Sequence, residues 1–407
     1  MKIFKIFPAV LILCLLLGLC APCALALDGP ELSARAVLLA DLASGAVLYE
    51  KNGDEARSPA SLTKVMTILL ALEAVERGEA RLDDAVTAGS DCRSGMRDDS
   101  SSVGILPGEI LSLRDLLYCA AVASGNDACN VIAAHIAGSI PAFVERMNGR
   151  AGELGCSATH FVDPNGLSYE DLSSARDLYR ITLEALRHPD FMELCDCSSY
   201  LVSATNKNAS RQLKSSNALL TPDGIYGAGY LYEGAHGIKT GYTRAAGYCL
   251  ISTAQRGEMT LLAIVLGSDG PYLSNTETRY SFVDTARLYD WAFSGFAFRQ
   301  LCTAGQPLAD REASLARGDG SLALLAGADL RLPLPADAEP VLQLELADPE
   351  LRAPIEAGQR LGSAVFLLDG RELARVDLNA GRSIERSLWA YVADTVRRYQ
   401  TENGSYA

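Results

Sequence analysis

The sequence predicts an α+β fold in three successive parts. Apolar residues at helical spacing dominate the first half of the chain, and short alternating strands follow from about residue 198. The composition changes near residue 300, where strands spaced by Gly, Pro and Asp begin, and the chain becomes helical again at about residue 383. We therefore predict helices packed on an antiparallel sheet, followed by a small all-β domain and a C-terminal helix.

The N-terminus is typical of an export signal. Lys2 and Lys5 precede an unbroken apolar run over 9–19, and Ala24-Leu25-Ala26 fits a small-residue cleavage site. We therefore predict a signal peptide at 1–26, with an uncleaved membrane anchor as the alternative.

The first folded domain is predicted over 27–297, with a sheet built from both ends of that stretch. A hairpin at 35–50 precedes a buried helix that opens at Ser61. Further helices are expected at 113–122, 127–137, 141–155, 173–187 and 278–293, and strands at 237–241, 247–253 and 259–266. Because the strands at the two ends must meet, the helices between them are expected to cover the sheet.

Composition narrows the classes of partner. The chain has 407 residues, a formal net charge of −14 at pH 7 and 49% hydrophobic residues, as in soluble globular proteins. The acidic balance argues against a nucleic-acid partner, because phosphate binding needs a basic surface. The 11 cysteines have no metal-ligand spacing, so we predict no metal and no cofactor, and the sequence does not choose among possible disulfides.

A serine and a lysine stand one turn apart where the buried helix begins. Ser61 and Lys64 are three residues apart and share a helix face, and the residues after them are apolar on nearly every side. Ser61 needs a base to become a nucleophile, and Lys64 is the nearest candidate because the four histidines share no pattern. Burial and a second cation, Lys239, would lower the pKa of Lys64 toward neutrality.

Three short motifs occur in order along the chain. They are Ser61-x-x-Lys64, Ser124-Gly125-Asn126 and Lys239-Thr240-Gly241, which fall at a helix start, in a loop between helices and on a strand. Each alone has a structural alternative: a helix cap, a capping turn and an edge strand with a protective lysine. Together they are the set found in class A β-lactamases and penicillin-binding proteins.

The chain resembles the serine-type D-Ala-D-Ala carboxypeptidases of the peptidase S11 type, which are low-molecular-mass penicillin-binding proteins. The resemblance extends to the neighbours of the three motifs and to 161–167 and 173–177. It covers about 30–295 strongly and 303–380 more weakly. It implies a β-lactamase/penicillin-binding-protein-like catalytic domain that removes the terminal D-Ala from peptidoglycan stem peptides through a Ser61 acyl-enzyme and is acylated by β-lactams.

Roles for the remaining motif residues follow from chemistry and from this resemblance. Ser124 would relay the proton to the leaving amine, and Asn126 would orient Lys64 or the substrate amide. Lys239 and Thr240 would hold the terminal carboxylate. Gly241 would let the backbone approach the substrate.

The resemblance also assigns an oxyanion hole. It would be formed by the backbone N–H groups of Ser61 and Tyr242. Arg279 is a further candidate for carboxylate binding.

The C-terminal segments carry no catalytic cluster. A small β-rich domain is predicted over 298–382, and an amphipathic helix over 383–407 places Ile384, Leu388, Tyr391 and Val392 on one face. This helix is either a peripheral membrane anchor or an ordinary helix docked on the β domain. We expect an exported protein in the cell wall or on the outer face of the cytoplasmic membrane. Its partners would be the peptidoglycan pentapeptide and β-lactams.

Two alternative functions remain open at this stage. A β-lactamase would carry the same three motifs, although a class A enzyme would add a deacylating Glu in a Glu-x-x-Leu-Asn setting, which the sequence lacks. A non-catalytic scaffold that binds peptidoglycan is the other alternative, and the complete set of motifs argues against it.

Overall fold

The computed structural model describes residues 29–403, apart from 227 and 274–275. The predicted signal peptide lies outside these residues. The chain divides into two compact units, the first ending at Gly295 and the second beginning at Phe296.

The first unit is built on a five-stranded antiparallel sheet. Its elements in chain order are β1 (Ala36–Asp41), β2 (Val47–Lys51), α1 (Lys64–Glu76), β3 (Ala85–Thr87), β4 (Ile110–Ser112), α2 (Leu113–Ala121), α3 (Asn126–Ala137), α4 (Ile140–Glu153), α5 (Ala175–Ala185), α6 (Pro189–Cys195), β5 (Ser199–Val202), β6 (Arg211–Lys214), β7 (Ala235–Thr243), β8 (Gly247–Arg256), β9 (Met259–Ser268) and α7 (Tyr280–Gly295). The strand order is β2-β1-β9-β8-β7. The predicted sheet made from both ends of this unit is therefore confirmed.

Strand β1 joins the two ends of the unit. It pairs with β9 along its whole length, from Ala36 opposite Leu266 to Asp41 opposite Leu261. Every residue of β1 is buried, as expected for a strand with neighbours on both edges. This places β7, which carries the third motif, at the far edge of the sheet.

Helix α1 is the core helix of the first unit. It is buried continuously from Lys64 to Ala74 and packs against α2, α3 and α5. The predicted start at Ser61 needs a correction, because Ala60–Thr63 forms a 3-10 turn and the α-helix begins at Lys64. Ala60 has φ +49°, outside the α-helical region, so the regular helix cannot extend back through it.

Some elements of the first unit have weak sequence signals. The short helix α6 was not predicted. The hairpin β5–β6 lies where short alternating strands were expected from about residue 198, but its bounds were not predicted, and both elements are too short to show a clear period. The ring of Tyr200 in β5 stacks on Tyr118 of α2, with centroids 3.7 Å apart. Tertiary contact of this kind stabilises a hairpin that is marginal alone.

The second unit is a small β domain with its own apolar core, as predicted. Five strands pair in the order β11-β12-β16-β15-β14, and β10 pairs with β13. These strands are β10 (Phe296–Cys302), β11 (Pro307–Glu312), β12 (Ser321–Ala326), β13 (Leu330–Pro335), β14 (Val341–Leu346), β15 (Arg360–Leu368) and β16 (Arg371–Ala380). Its core includes Leu322, Leu324, Phe366 and Leu378.

A C-terminal helix, α8 (Leu388–Asn403), follows this domain. It begins later than predicted, because Ile384 belongs to the β domain: it is 3% exposed and forms a backbone bridge with Ile355. Within the described part of the chain, no single helix is long and apolar enough to cross a membrane; only the bent pair α3 and α4 passes that test together, at 84°.

Candidate active site

The amine of Lys64 makes three hydrogen bonds at the base of the site. Lys64 Nζ lies 2.8 Å from Ser61 Oγ, 2.7 Å from Asn126 Oδ1 and 2.7 Å from the backbone oxygen of Asn165. Lys64 comes from the start of α1 and Asn126 from the first turn of α3. The first two sequence motifs therefore meet within hydrogen-bond distance.

The third acceptor was missed at the sequence level. Asn165 lies in the loop between α4 and α5, and its own side chain turns away to donate to Asn130 Oδ1 at 3.0 Å. Its contribution to Lys64 is a main-chain carbonyl. The similarity of 161–167 to the carboxypeptidases was the only signal that this loop belongs to the site.

Burial controls the charge of Lys64. The side chain is fully buried, and this desolvation lowers the pKa of Lys64 because the ammonium loses its hydration. The Cys129 thiol and the carboxylates of Asp163, Asp127 and Asp171 act in the opposite direction, and burial outweighs them. A lysine with a lowered pKa can serve as a base near neutral pH.

The strand β7 brings the third motif against the nucleophile. A Cβ atom on Gly241 would lie 3.1 Å from the oxygen of Pro59 and 3.2 Å from the backbone nitrogen of Ser61. This separation is tighter than ordinary packing allows, so a larger residue would push the strand from the Ser61 turn. Gly241 thus permits the close approach of β7 to the Ser61 turn, and its predicted approach to the substrate stays a prediction.

Lys239 is the second buried cation of the site. It is 1% exposed, and burial together with the charge of Lys64 lowers the pKa of Lys239 to about 7. Its Nζ donates to the backbone oxygen of Thr240 at 3.0 Å rather than to Ser61. The amine is thereby held beside the Thr240 backbone on β7.

A serine outside the three motifs completes this edge of the site. Ser216 Oγ lies 2.6 Å from Thr240 Oγ1. Ser216 stands in the irregular stretch after β6, where no periodic pattern marks it. Two adjacent hydroxyls and the Lys239 amine form a set of donors suited to a carboxylate.

Other predicted residues make fewer contacts. Ser124 is 6% exposed with a left-handed φ of +57°, and among the described residues it is not an acceptor of Lys64. The Tyr242 ring packs on Tyr248 with centroids 4.4 Å apart, next to Gly241 on β7.

Arg279, the further candidate for carboxylate binding, stacks on an aromatic ring. Its guanidinium carbon lies 4.0 Å from the centroid of the Tyr226 ring. Its Nε is buried without a hydrogen-bond partner. The described contacts do not connect it with the three motifs.

Among the described residues of the chain, the other functional groups do not form a competing centre. Within the described residues, no group of three or more His, Cys, Asp or Glu side chains could hold a metal ion. The eight cysteines from Cys92 to Cys302 are unpaired thiols, and seven of them are buried. Burial raises the pKa of the Cys129 and Cys195 thiols to about 12, which suits core residues rather than nucleophiles.

A buried lysine in contact with a serine, facing a strand lysine in an α+β domain, defines the serine acyl-transferases of the penicillin-binding class. Residues 24–270 match the family model of D-alanyl-D-alanine carboxypeptidases, and residues 296–386 match the C-terminal domain of penicillin-binding protein 5. The chain belongs to the D-alanyl-D-alanine carboxypeptidase family.

Individual relatives agree with this assignment. The chain is 31% identical to the carboxypeptidase DacF of Bacillus subtilis over 87% of this chain and 86% of that protein. It is 32% identical to DacA of Escherichia coli K12 over 84% and 82%. Among solved structures, penicillin-binding protein 5 of Haemophilus influenzae is similar with a TM-score of 0.70 and 30% identity, covering 89% of this chain and 100% of that one.

A further solved relative is penicillin-binding protein D2 of Listeria monocytogenes in its ampicillin-bound form. It is 30% identical, with a TM-score of 0.54, and covers 66% of this chain and 100% of that one. The family, the α+β catalytic fold and the following β domain predicted from the sequence are thereby confirmed.

Proposed function

We propose that this protein removes the C-terminal D-Ala from peptidoglycan stem peptides through an acyl-enzyme on Ser61. The observation that carries the proposal is the 2.8 Å contact between Ser61 Oγ and Nζ of the fully buried Lys64. This pairing supplies a nucleophile and a base whose pKa is lowered by burial. The acyl-enzyme is then hydrolysed by water.

The hydrogen bonds of Lys64 explain how a neutral amine would be aimed. A neutral amine has two N–H donors and one lone pair. Asn126 Oδ1 and the Asn165 carbonyl would accept the two N–H groups, which leaves the lone pair directed at Ser61 Oγ. Lys64 then accepts the Ser61 proton as the oxygen attacks the penultimate D-Ala carbonyl.

The developing oxyanion and the leaving amine need separate partners. The backbone N–H groups of Ser61 and Tyr242 would stabilise the oxyanion, and the tight approach of Gly241 to the Ser61 nitrogen supports this placement. Ser124 would pass the proton from Lys64 to the departing D-Ala nitrogen. The proton taken from Ser61 thereby leaves with the product.

Carboxylate recognition would restrict cleavage to the chain end. The Lys239 ammonium supplies charge, and the hydroxyls of Thr240 and Ser216, 2.6 Å apart, supply hydrogen bonds. A substrate with a free terminal carboxylate satisfies all three groups. An internal peptide bond leaves the buried Lys239 without a counter-charge.

The decisive experiment combines a product assay with intact-mass spectrometry. The wild-type protein should release D-Ala from a diacetyl-Lys-D-Ala-D-Ala peptide and gain one penicillin adduct. Ser61→Ala should lose both, and Ser90→Ala, at an exposed serine, should retain both. An adduct that persists in Ser61→Ala would sink the proposal.

The same assays separate the two alternatives. Rapid turnover of penicillin without a lasting adduct would indicate a β-lactamase. Failure of the wild-type protein to release D-Ala or form an adduct would indicate a scaffold.

We propose further that the protein is exported by the segment 1–26 and acts outside the cytoplasm, with α8 in peripheral contact with the membrane. Leu388 and Trp389 at the start of α8 are 77% and 85% exposed, and Tyr391 and Val392 are also exposed. Aromatic and aliphatic side chains on one side of an exposed helix suit a membrane interface.

Vesicle co-sedimentation tests the membrane contact. The protein should pellet with vesicles that contain phosphatidylglycerol, and replacing both Leu388 and Trp389 by Ser should release it. Equal sedimentation of the two proteins would remove α8 from the proposal.

A further inference from the structure

The loop that supplies the third acceptor of Lys64 is seated directly on the start of α1. Two successive carbonyls point at that helix. The oxygen of Pro164 accepts from Thr67 Oγ1 at 2.5 Å, and the oxygen of Asn165 accepts from Lys64 Nζ at 2.7 Å. The direction of the amine therefore depends on the conformation of this loop.

The side chain of Asp163 folds the loop. Its Oδ1 accepts from the backbone N–H groups of Asn165 at 2.8 Å and Gly166 at 2.5 Å, and its Oδ2 accepts from that of Ser168 at 2.8 Å. Three backbone donors stabilise an ionised carboxylate. The turn made in this way presents the Pro164 and Asn165 carbonyls outward.

A second carboxyl group, Asp171, lies against the first and is fully buried. Its Oδ1 accepts from the N–H of Val162 at 2.7 Å and, more weakly, from that of Asp163 at 3.4 Å. No donor reaches its Oδ2. Two carboxylates in contact, one of them fully buried, repel each other, whereas one proton between them converts the contact into a hydrogen bond.

We infer that Asp171 is a positioning residue for Lys64, which it serves as a neutral acid that donates from Oδ2 to the Asp163 carboxylate. This bond ties the two ends of the loop together and holds the Asn165 carbonyl on the amine. The inference rests on the proposed role of Lys64 as the base. It adds a residue that none of the three motifs contains.

The charges around the pair give its proton a second effect. Burial, and then the charge of Asp163, raise the pKa of Asp171 to about 8. The charged group facing the pair from α1 is Lys64, which itself faces Asp127 and Cys129 of α3. A neutral Asp171 removes one of the anions that would keep Lys64 protonated, so the same proton favours the basic form of the lysine.

Two substitutions of Asp171 distinguish the effect of its protonation from the effect of its side-chain hydrogen bonds. Asp171→Asn is permanently neutral and keeps both an acceptor for Val162 and a donor for Asp163. Asp171→Ala removes both. Glu170→Gln, at the exposed neighbouring carboxylate, is the matched control.

The first readout is the rate at which benzylpenicillin acylates Ser61 at pH 7, followed by intact mass. We expect Asp171→Asn to stay within about threefold of the wild-type rate and Asp171→Ala to be about 10- to 100-fold slower, because a misplaced base is costly. Glu170→Gln should match the wild type. Equal rates for the Asn and Ala variants would overturn the inference.

The second readout does not need activity. Between the ordinary carboxyl pKa of 3.8 and about 8, the native protein holds a proton on Asp171 that the unfolded chain releases. Native stability must therefore fall as the pH rises through this range. The thermal midpoint of the wild type should drop more between pH 5 and pH 8 than that of Asp171→Asn, whereas identical drops would overturn the inference.

These readouts also distinguish this inference from the proposed function. A wild-type protein that neither releases D-Ala nor forms an adduct contradicts the function, and the unfolding comparison still decides whether Asp171 carries the proton. A wild-type protein that is active while Asp171→Ala acylates at the full rate retains the function and excludes the positioning role.

Discussion

The amine of Lys239 shares its buried surroundings with that of Lys64, and the charge of Lys64 adds to the effect of burial on the pKa of Lys239. The pKa of Lys239 is held at about 7. Two buried ammonium groups are unfavourable together, so one amine is readily neutral. An anionic substrate that reaches Lys239 would favour its charged form, so above about pH 7 binding requires the uptake of a proton, which costs free energy.

This relationship predicts a pH dependence of substrate binding. Lys239 is protonated below about pH 7 and loses its charge above it. The KM for a peptide with a free terminal carboxylate should therefore rise by up to about 50-fold from pH 7 to pH 9, since each pH unit well beyond the pKa lowers the charged fraction tenfold. Steady-state D-Ala release across this range measures it.

Two lysine variants control that measurement. Lys239→Met should show a high KM that no longer changes with pH. Lys214→Met, at an exposed lysine of β6, should behave as the wild type. A wild-type KM that is flat from pH 7 to pH 9 contradicts the role of the Lys239 charge.

Asn126→Asp should damage the base more than Asn126→Ala does. The aspartate would place a carboxylate 2.7 Å from Lys64 Nζ, where a nearby negative charge raises the pKa of the lysine and keeps it protonated. We expect acylation by benzylpenicillin at pH 7 to slow by about 100-fold in the Asp variant, a typical loss for a disabled general base.

The pH profile identifies the cause of that loss. In Asn126→Asp the rate should recover only at higher pH than in Asn126→Ala, because the lysine must first lose its proton. Superimposable profiles for the two variants would show that the charge at this position is unimportant.

Ser216→Ala tests the hydroxyl that the sequence did not reveal. It removes the 2.6 Å partner of Thr240 Oγ1 and one proposed donor to the substrate carboxylate. We expect KM to rise by about three- to tenfold with little change in kcat, which is the net value of one ordinary hydrogen bond. Ser203→Ala, at an exposed serine, is the control, and an unchanged KM for Ser216→Ala would remove this residue from the site.

Gly166→Ala should destabilise the protein strongly. Gly166 has φ +80°, and a Cβ there would lie 1.9 Å from the oxygen of Ala60, the residue before the nucleophile. Strain and overlap together should lower the free energy of unfolding by at least about 2 kcal/mol.

The matched control for this substitution is Gly149→Ala in α4. A Cβ at Gly149 meets nothing within 4 Å, so alanine should raise stability by about 0.5–1 kcal/mol through its helix propensity. Urea unfolding of both variants measures the contrast. Equal losses of unfolding free energy in the two variants would show that the close contact with Ala60 is not the reason why position 166 requires glycine.

The parts of the site that could be predicted from the sequence are those with a distinctive residue type. A lysine inside an apolar helix has no obvious packing role, so Lys64 indicated a chemical role for itself and for Ser61, one turn away. Lys239 and Asn126 followed because their motifs stand at an ordered set of element boundaries. These two residues are carried by β7 and α3, which are long enough for their hydrophobic periodicity to be recognised in the sequence.

The parts that could not be predicted act through ordinary groups. Asn165 contributes a main-chain carbonyl, which any residue possesses, and only the fold of its loop gives that carbonyl a direction. Ser216 stands outside any regular element. The contact between Asp163 and Asp171 joins residues eight positions apart across an irregular loop, and no period encodes it.

Ile384 illustrates a different limit. Its spacing fits the apolar face of the last helix, and periodicity alone assigned it there. The side chain instead belongs to the core of the β domain, where burial of a branched aliphatic residue is more favourable than exposure on a solvated helix. Boundaries between adjacent elements are decided by such competition.

The pairing of β1 with β9 bears on how the first unit can be synthesised. Ala36 pairs with Leu266, so β1 remains without its inner neighbour β9 until almost the whole unit has left the ribosome. Contacts between residues so far apart make folding slow compared with that of a helical bundle. The catalytic unit therefore assembles as a whole after translation of its last strand, and a fragment ending before β9 is expected to remain unfolded and sensitive to proteolysis.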